Sequence, residues 1–288
     1  MPTISEKRVF DDAAAPTPVF VAAEQGLVVA RLSADAVGEF SLERRCTARD
    51  LALGPEGTLV LATDEATLVA SDADPSRFHE TGFGPATAVG VVEGPDRAVV
   101  AADENGLLAR LPLPAGAGPD PTASDWEDLA TVDDVRAIDG RLVAAGDGVH
   151  RVTATGPVDA GLDDARDVAA RGAPLAAVGS GLYELGNGWM LAREGVHETV
   201  ATDGERANAV GEVGTVLGRQ HGGGEWAELD LPTDDRIVDF AYTDEAVVAA
   251  TESGSLLADA GDGWRSRMIG VTGVRAAAAG PAPTPDAE

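Results

Sequence analysis

A unit of short strands recurs along this chain, and the repeat constrains the fold more than any other feature of the sequence. In its clearest copy, apolar segments at 237–242, 246–250 and 255–258 are followed by a polar strand at 264–269. Turns rich in Gly, Asp, Asn and Pro separate such segments. Other copies begin near residues 50, 88, 135 and 167. The repeat therefore predicts a series of small sheets, each of four short strands.

The two ends of the chain complement each other. The first unit has strands at 19–23, 27–30 and 39–43 but no convincing innermost strand ahead of them, whereas 273–279 resembles an innermost strand with nothing after it. Ring closure explains both, because the last strand would complete the first sheet and remove the open edge. No segment shows sustained helical periodicity, which disfavours a parallel sheet with crossover helices. We therefore predict an all-β fold, a closed β-propeller of seven four-stranded blades whose C-terminal strand pairs into the first blade.

The predicted propeller is a single domain over residues 19–280. Residues 1–18 are expected to form a flexible N-terminal segment, 281–288 a disordered tail and 112–124 a flexible loop. The sixth unit, 205–232, is the weakest copy, because a glycine-rich stretch at 222–224 stands where its third strand should be. The sequence therefore predicts the number of blades to within one.

Acidic residues outnumber basic ones along the whole chain. There are 49 Asp and Glu against 21 Lys and Arg, a formal charge of −28, and Lys7 is the single lysine. High charge can indicate disorder, but 44% of the residues are hydrophobic and follow a pattern, which favours a folded domain. Salt shortens the range of repulsion between carboxylates from about 10 Å at ~0.1 M to about 3 Å at ~1 M. The composition therefore predicts a halophilic protein of a salt-rich cytoplasm, as in haloarchaea.

Composition also argues against several partners and sites. Nucleic acids and membrane surfaces are anionic, so neither is an expected partner. The sequence has no run of about 18 apolar residues and no apolar signal region at its start, which predicts a cytoplasmic protein. Because Cys46 is the only cysteine, the chain has no intramolecular disulfide and no cysteine-based zinc site. The four histidines lie in different units without metal-ligand spacing, so we predict neither a metal nor a cofactor.

The chain resembles the β-propeller superfamily, and its acidic composition and its start at 6–10 (EKRVF) are similar to an uncharacterised haloarchaeal β-propeller family. This resemblance covers nearly the full length and implies the fold without a particular activity. WD-repeat propellers carry Gly-His and Trp-Asp pairs in each blade, and neither pair recurs here. Tryptophans instead open the predicted outer strands, at Trp126, Trp189, Trp226 and Trp264.

Arginines recur at the start of the predicted innermost strands. The candidates for a binding site are Arg49, Arg136, Arg166 and Arg275. Innermost strands line the axis, so these side chains could converge at one mouth of the central channel and hold a carboxylate or phosphate. The favoured alternative is that each arginine pairs with an aspartate of its own or the next blade, for example the adjacent Asp50 or Asp167.

No catalytic constellation is recognisable in the sequence. The Gly-x-Ser-x-Gly elbow of α/β-hydrolases is missing, and the glycines at 222–224 lack the lysine and helix of a phosphate loop. We therefore predict a non-catalytic binding or scaffold protein that contacts another protein through one propeller face. The alternative is a hydrolase or lyase acting on an anionic small substrate at the channel mouth.

Overall fold

A computed structural model describes residues 15–113, 125–220 and 224–281, which form seven antiparallel sheets of four strands. From the innermost strand outwards, blade 1 consists of β28 (Ala276–Ala279), β1 (Thr17–Ala23), β2 (Gly26–Ser33) and β3 (Ala36–Arg44). Blade 2 consists of β4 (Ala48–Leu53), β5 (Leu59–Thr63), β6 (Thr67–Ala70) and β7 (His79–Glu80). Blade 3 consists of β8 (Ala88–Val92), β9 (Ala98–Ala102), β10 (Leu107–Pro112) and β11 (Glu127–Thr131).

The other four blades repeat this order. Blade 4 consists of β12 (Val135–Asp139), β13 (Leu142–Ala145), β14 (Gly148–Thr153) and β15 (Gly156–Gly161). Blade 5 consists of β16 (Ala165–Ala169), β17 (Leu175–Val178), β18 (Gly181–Leu185) and β19 (Trp189–Glu194). Blade 6 consists of β20 (His197–Thr202), β21 (Ala207–Gly211), β22 (Val216–Arg219) and β23 (Ala227–Leu229). Blade 7 consists of β24 (Ile237–Tyr242), β25 (Val247–Thr251), β26 (Ser255–Asp259) and β27 (Arg265–Met268).

The blades form a closed ring. Each innermost strand packs against the innermost strand of the next blade, from β4 on β8 round to β24 on β28 and β28 on β4. The C-terminal β28 pairs antiparallel with β1, with Val19 opposite Ala279 and Ala22 opposite Ala276. The predicted seven-bladed propeller, closed by the C-terminal strand, is confirmed. No helix among the described residues is long and apolar enough to cross a membrane.

The core is divided among the junctions between blades. Every junction encloses its own cluster of buried apolar side chains. In β5, Leu59 and Leu61 face blade 1 while Val60 and Ala62 face blade 3, because successive side chains of a strand point to opposite faces. A strand buried on both faces must be apolar throughout, which explains the runs of Val, Leu and Ala.

Blade 6 has four strands, so the suspected gap in this unit was wrong. Its innermost strand is β20, which lies ahead of the predicted start at residue 205, and its third strand, β22, lies ahead of the glycines at 222–224. We missed β20 because it contains few apolar residues and a bulge interrupts its alternation between His197 and Thr199.

In the structure the propeller begins slightly earlier in the chain than the sequence predicts. The first strand, β1, begins at Thr17, two residues before the predicted domain boundary at 19. Residues 1–14, 114–124 and 282–288 lie outside the described residues, as therefore does most of the predicted flexible segment, loop and tail.

Candidate functional site at the front face of the channel

The predicted arginines share one structural position. We call the face on which the seven innermost strands begin the front face, and the opposite one the back face. Arg49, Arg136 and Arg166 each occupy a β-bulge at the start of an innermost strand, where the pairing register shifts by one residue. Arg275 directly precedes β28, and its backbone N–H donates to the Ala22 carbonyl at 2.9 Å. A bulge re-aims its side chain, so this position suits groups that lie at the channel mouth.

Two of the four arginines belong to a chain of ion pairs that follows the front face. Arg136 contacts Asp134 at 2.6 Å and Asp164 of the next blade at 2.7 Å. Arg166 contacts the same Asp164 at 3.5 Å and Glu198 of the following blade at 3.9 Å. The complete chain runs through Asp134, Arg136, Asp164, Arg166, Glu198, Arg236 and Glu252. Arg136 also lowers the pKa of the Asp164 carboxyl, mainly by hydrogen bonding to it.

The other two arginines have no such partners. Within the described residues, Arg49 and Arg275 make no side-chain hydrogen bond or ion pair. They begin the innermost strands of adjacent blades, since β28 packs against β4. The sequence contains the reason, because an aspartate stands two residues before Arg136 and Arg166, whereas Thr47 and Gly273 stand at that place before Arg49 and Arg275.

The adjacent aspartates have a different role from the one expected. Arg136 and Arg166 do pair with aspartates of their own or the next blade, as that alternative predicts. The adjacent Asp50 and Asp167, however, do not pair with their neighbouring arginines, so these two examples were wrong. Asp50 instead accepts the Leu51 N–H on one oxygen and the Val89 N–H of the next blade on the other, both at 2.8 Å.

The arrangement recurs at the third residues of β16 and β24, and Asp139, at the back-face end of β12, makes a similar bond. These carboxyl groups therefore bind neighbouring blades together. Asp167 accepts the Val200 N–H of blade 6 at 2.8 Å, and Asp139 accepts the Ala170 N–H of blade 5 at 2.7 Å. Asp239 joins blade 7 to blade 1 through the Ala277 N–H at 2.8 Å. We call Asp50, Asp139, Asp167 and Asp239 the channel carboxyls.

The channel carboxyls hold protons more tightly than ordinary aspartates. Burial is the largest cause, and it raises the pKa of Asp50 and of Asp239 to about 7 and that of Asp167 well above its usual range. The backbone N–H donors oppose the shift, and repulsion from Asp139 and Asp239 adds to it. Asp139 is more exposed than the other three, but the surrounding protein still removes enough water from its carboxyl to raise its pKa.

These shifts predict that the protein becomes more stable as the pH falls from about 8 to about 6. In that range the folded state takes up protons on Asp50 and Asp239, whose pKa is about 7, while the unfolded chain, with an ordinary value of 3.8, does not. Denaturant unfolding at fixed KCl across this range measures the effect. An Asp50→Asn/Asp239→Asn variant should show a weaker dependence, and a wild-type stability that falls steadily with acidification would contradict the prediction.

Two clefts open between blades on the front face. The cleft between blades 3 and 4 has a volume of about 650 Å³ and is lined by several aspartates and by His150, whose Nε2 lies 2.8 Å from Asp147. The cleft between blades 5 and 6 has a volume of about 500 Å³ and contains His197 and three glutamates. The sequence does not indicate that either histidine lines a cleft, because the groups beside each of them come from different strands. Within the described residues, no group of three or more His, Cys, Asp or Glu side chains is arranged to hold a metal ion.

The tryptophans stand where the sequence placed them. Trp189 opens the outermost strand β19, while Trp126, Trp226 and Trp264 directly precede β11, β23 and β27. The Trp126 and Trp189 indoles donate to carbonyl groups of the preceding blade, Thr81 at 3.0 Å and Ala160 at 2.8 Å. Trp126 and Trp189 therefore connect the outer ends of neighbouring blades.

A family model described as Beta-prop_HVO_0234:-like, beta propeller, matches residues 3–280. The chain belongs to this β-propeller family. No curated protein matches it.

Solved structures share the fold of this family member at low sequence identity. A computationally designed protein, Ika8, is 15% identical with a TM-score of 0.56, over 92% of this chain and 90% of that one. Apo AztD from Citrobacter koseri is 14% identical with a TM-score of 0.54, over 90% and 84%. KlHsv2 with its loop 6CD replaced by a Gly-Ser linker is 12% identical with a TM-score of 0.51, over 73% and 76%. At such identities the likeness extends to the fold alone.

Proposed function

We propose that this propeller is a non-catalytic binding or scaffold protein that holds another protein against its front face. The observation that supports this most is the pair Arg49 and Arg275, which begin adjacent innermost strands and lack partners among the described residues. Arginine presents a planar fork of donors that matches a carboxylate, so an acidic segment of the partner is the group we assign to this position.

The ion-pair chain explains why we assign this role to Arg49 and Arg275 and not to the other two arginines. Arg136 and Arg166 already contact carboxylates of their own protein and have less to offer a partner. A protein of charge −28 repels acidic groups in general, so binding of an acidic segment needs a local cluster of positive charge. Arg49 and Arg275, at the front-face ends of adjacent innermost strands, are the positive charges that we assign to this role.

Affinity capture from a haloarchaeal extract in about 1 M KCl tests this function, since long-range attraction is then screened. An Arg49→Gln/Arg275→Gln variant should lose most of a partner that the wild type retains. An Arg77→Gln/Arg171→Gln variant is the matched control, because it removes the same charge from two exposed ion pairs away from this mouth. Equal capture by all three proteins, or recovery of no partner together with an anionic metabolite, would refute the proposal; the latter would favour a hydrolase or lyase.

The hydrolase or lyase alternative has weaker support. Its strongest argument is the raised pKa of the channel carboxyls, since such shifts are common in active sites. Their oxygens, however, accept backbone N–H donors at blade junctions, which gives the shifted groups a structural explanation.

We assign this protein to a salt-rich cytoplasm, on the strength of its charge of −28. Raising KCl from about 0.1 M to about 2 M should increase its stability, because screening weakens repulsion among surface carboxylates. Thermal unfolding followed by circular dichroism measures this. Potassium glutamate at equal ionic strength is the control for specific chloride effects, and a midpoint that is independent of salt would argue against this environment.

A further inference from the structure

A buried histidine in the cleft between blades 5 and 6 has one ring nitrogen without a partner. His197 is 3% exposed, and its Nδ1 lies 2.9 Å from the Gly195 carbonyl oxygen. A carbonyl oxygen can only accept a hydrogen bond, so Nδ1 carries the proton in the neutral ring and Nε2 presents a lone pair. No described group donates to Nε2.

The surroundings keep this imidazole neutral. Burial is the largest cause of a lowered pKa at His197, and the nearby charge of Arg193 acts in the same direction, while the Gly195 carbonyl opposes both. Nε2 therefore remains a hydrogen-bond acceptor near neutral pH.

The rest of the cleft also offers acceptors. Glu194, Glu212 and Glu228 line the same volume of about 500 Å³ together with Thr215 and Arg193, so acidic side chains outnumber basic ones there by three to one. Beside Glu212, the turn Glu212–Gly214 places Val213 in the left-handed region at φ 65°, and this residue is 98% exposed. The cleft thus combines the acceptor nitrogen of a buried histidine with three exposed glutamates, and an exposed valine stands beside it.

We propose that this cleft binds a guanidinium group. A guanidinium has five N–H donors and no acceptor, so it can donate to His197 Nε2 and to carboxylates on different walls at the same time. Nothing in the described residues arranges these side chains as metal ligands, which favours an organic cation over a metal ion. The site is independent of the proposed role of Arg49 and Arg275, which attracts the opposite charge.

Calorimetric titration with agmatine and with an arginine-containing tripeptide amide tests the proposal, at the lowest KCl concentration that keeps the protein folded. Both probes carry the guanidinium, so stronger binding of the tripeptide would identify a protein side chain as the natural source, and stronger binding of agmatine a free metabolite. The corresponding lysine tripeptide should bind more weakly, because an ammonium has three donors rather than five.

Two variants remove the acceptors separately. His197→Asn keeps a donor for the Gly195 carbonyl and removes Nε2, while Glu212→Gln/Glu228→Gln removes two exposed charges without disturbing the core. Each should weaken binding at least about tenfold, the size of effect expected for losing a charge-assisted hydrogen bond. Glu205→Gln, in the back-face turn of the same blade, is the control and should bind like the wild type.

Lack of binding by the wild type would overturn the proposal, as would equal affinity in the wild type and the Glu212→Gln/Glu228→Gln variant. The glutamate variant keeps the test decisive even if His197→Asn does not fold. A negative outcome of this titration does not bear on the partner-capture experiment, because that experiment depends on different residues.

Discussion

Ending the chain at Gly273 should abolish cooperative unfolding of the propeller. The truncation removes β28, whose backbone pairs with β1 and whose Ala276 and Ala277 lie in the two junctions that flank blade 1. It also deprives Asp239 of the Ala277 N–H. A chain ending after Pro281 keeps every strand among the described residues and should unfold like the full-length protein. Circular dichroism and size-exclusion chromatography distinguish the two, and a compact, cooperatively unfolding protein that ends at Gly273 would disprove closure by β28.

Replacing Asp239 by alanine should destabilise the propeller strongly, because this carboxyl accepts two backbone N–H groups, one of them from the next blade. The variant leaves the N–H groups of Phe240 and Ala277 without an acceptor, at a cost of about 1–3 kcal/mol for each, or about 2–6 kcal/mol in total. Asp239→Asn should lose roughly half as much, because its single oxygen can serve one of the two donors.

The destabilisation by Asp239→Ala should be larger below pH 7 than above it. Below its pKa of about 7 the wild-type carboxyl is protonated and makes its bonds without a buried charge, whereas above that pH the ionised group is itself costly. Denaturant unfolding on both sides of pH 7 measures the difference, with the exposed Asp244→Ala of the same blade as the control. An Asp239→Ala loss no larger than that of the control would show that the bridge contributes nothing.

The architecture was predictable because its causes are local and repeated. Strands buried on both faces need apolar runs, and the turns between them need Gly and Asp. Blade 1 lacks an innermost strand at the start of the sequence, and one unassigned strand remains after the seventh unit. Strand β20 was not predicted, because its polar residues and a bulge interrupt the apolar alternation that marks the other strands.

The site was only partly predictable, because its contacts join different blades. The sequence located Arg49, Arg136, Arg166 and Arg275 correctly at the starts of innermost strands, but it could not decide which were paired. The aspartate two residues earlier distinguishes the paired arginines from the unpaired ones, whereas the adjacent aspartate bonds to backbone N–H groups and does not. The channel carboxyls and the His197 cleft have no local signature, since their partners come from strands about 30 to 40 residues away.

Closure by the last strand also sets the order of events during synthesis. Val19 pairs with Ala279, so β1 has no inner neighbour until about 260 further residues have been synthesised. At about 5–20 residues per second, the wait lasts roughly 13–52 s. Throughout that time β1, almost all of whose residues are buried in the finished protein, presents an apolar unpaired edge to the cell. Blade 1 is therefore the last blade to be completed. Its exposed apolar strand is the part of the growing chain to which we expect a chaperone to bind.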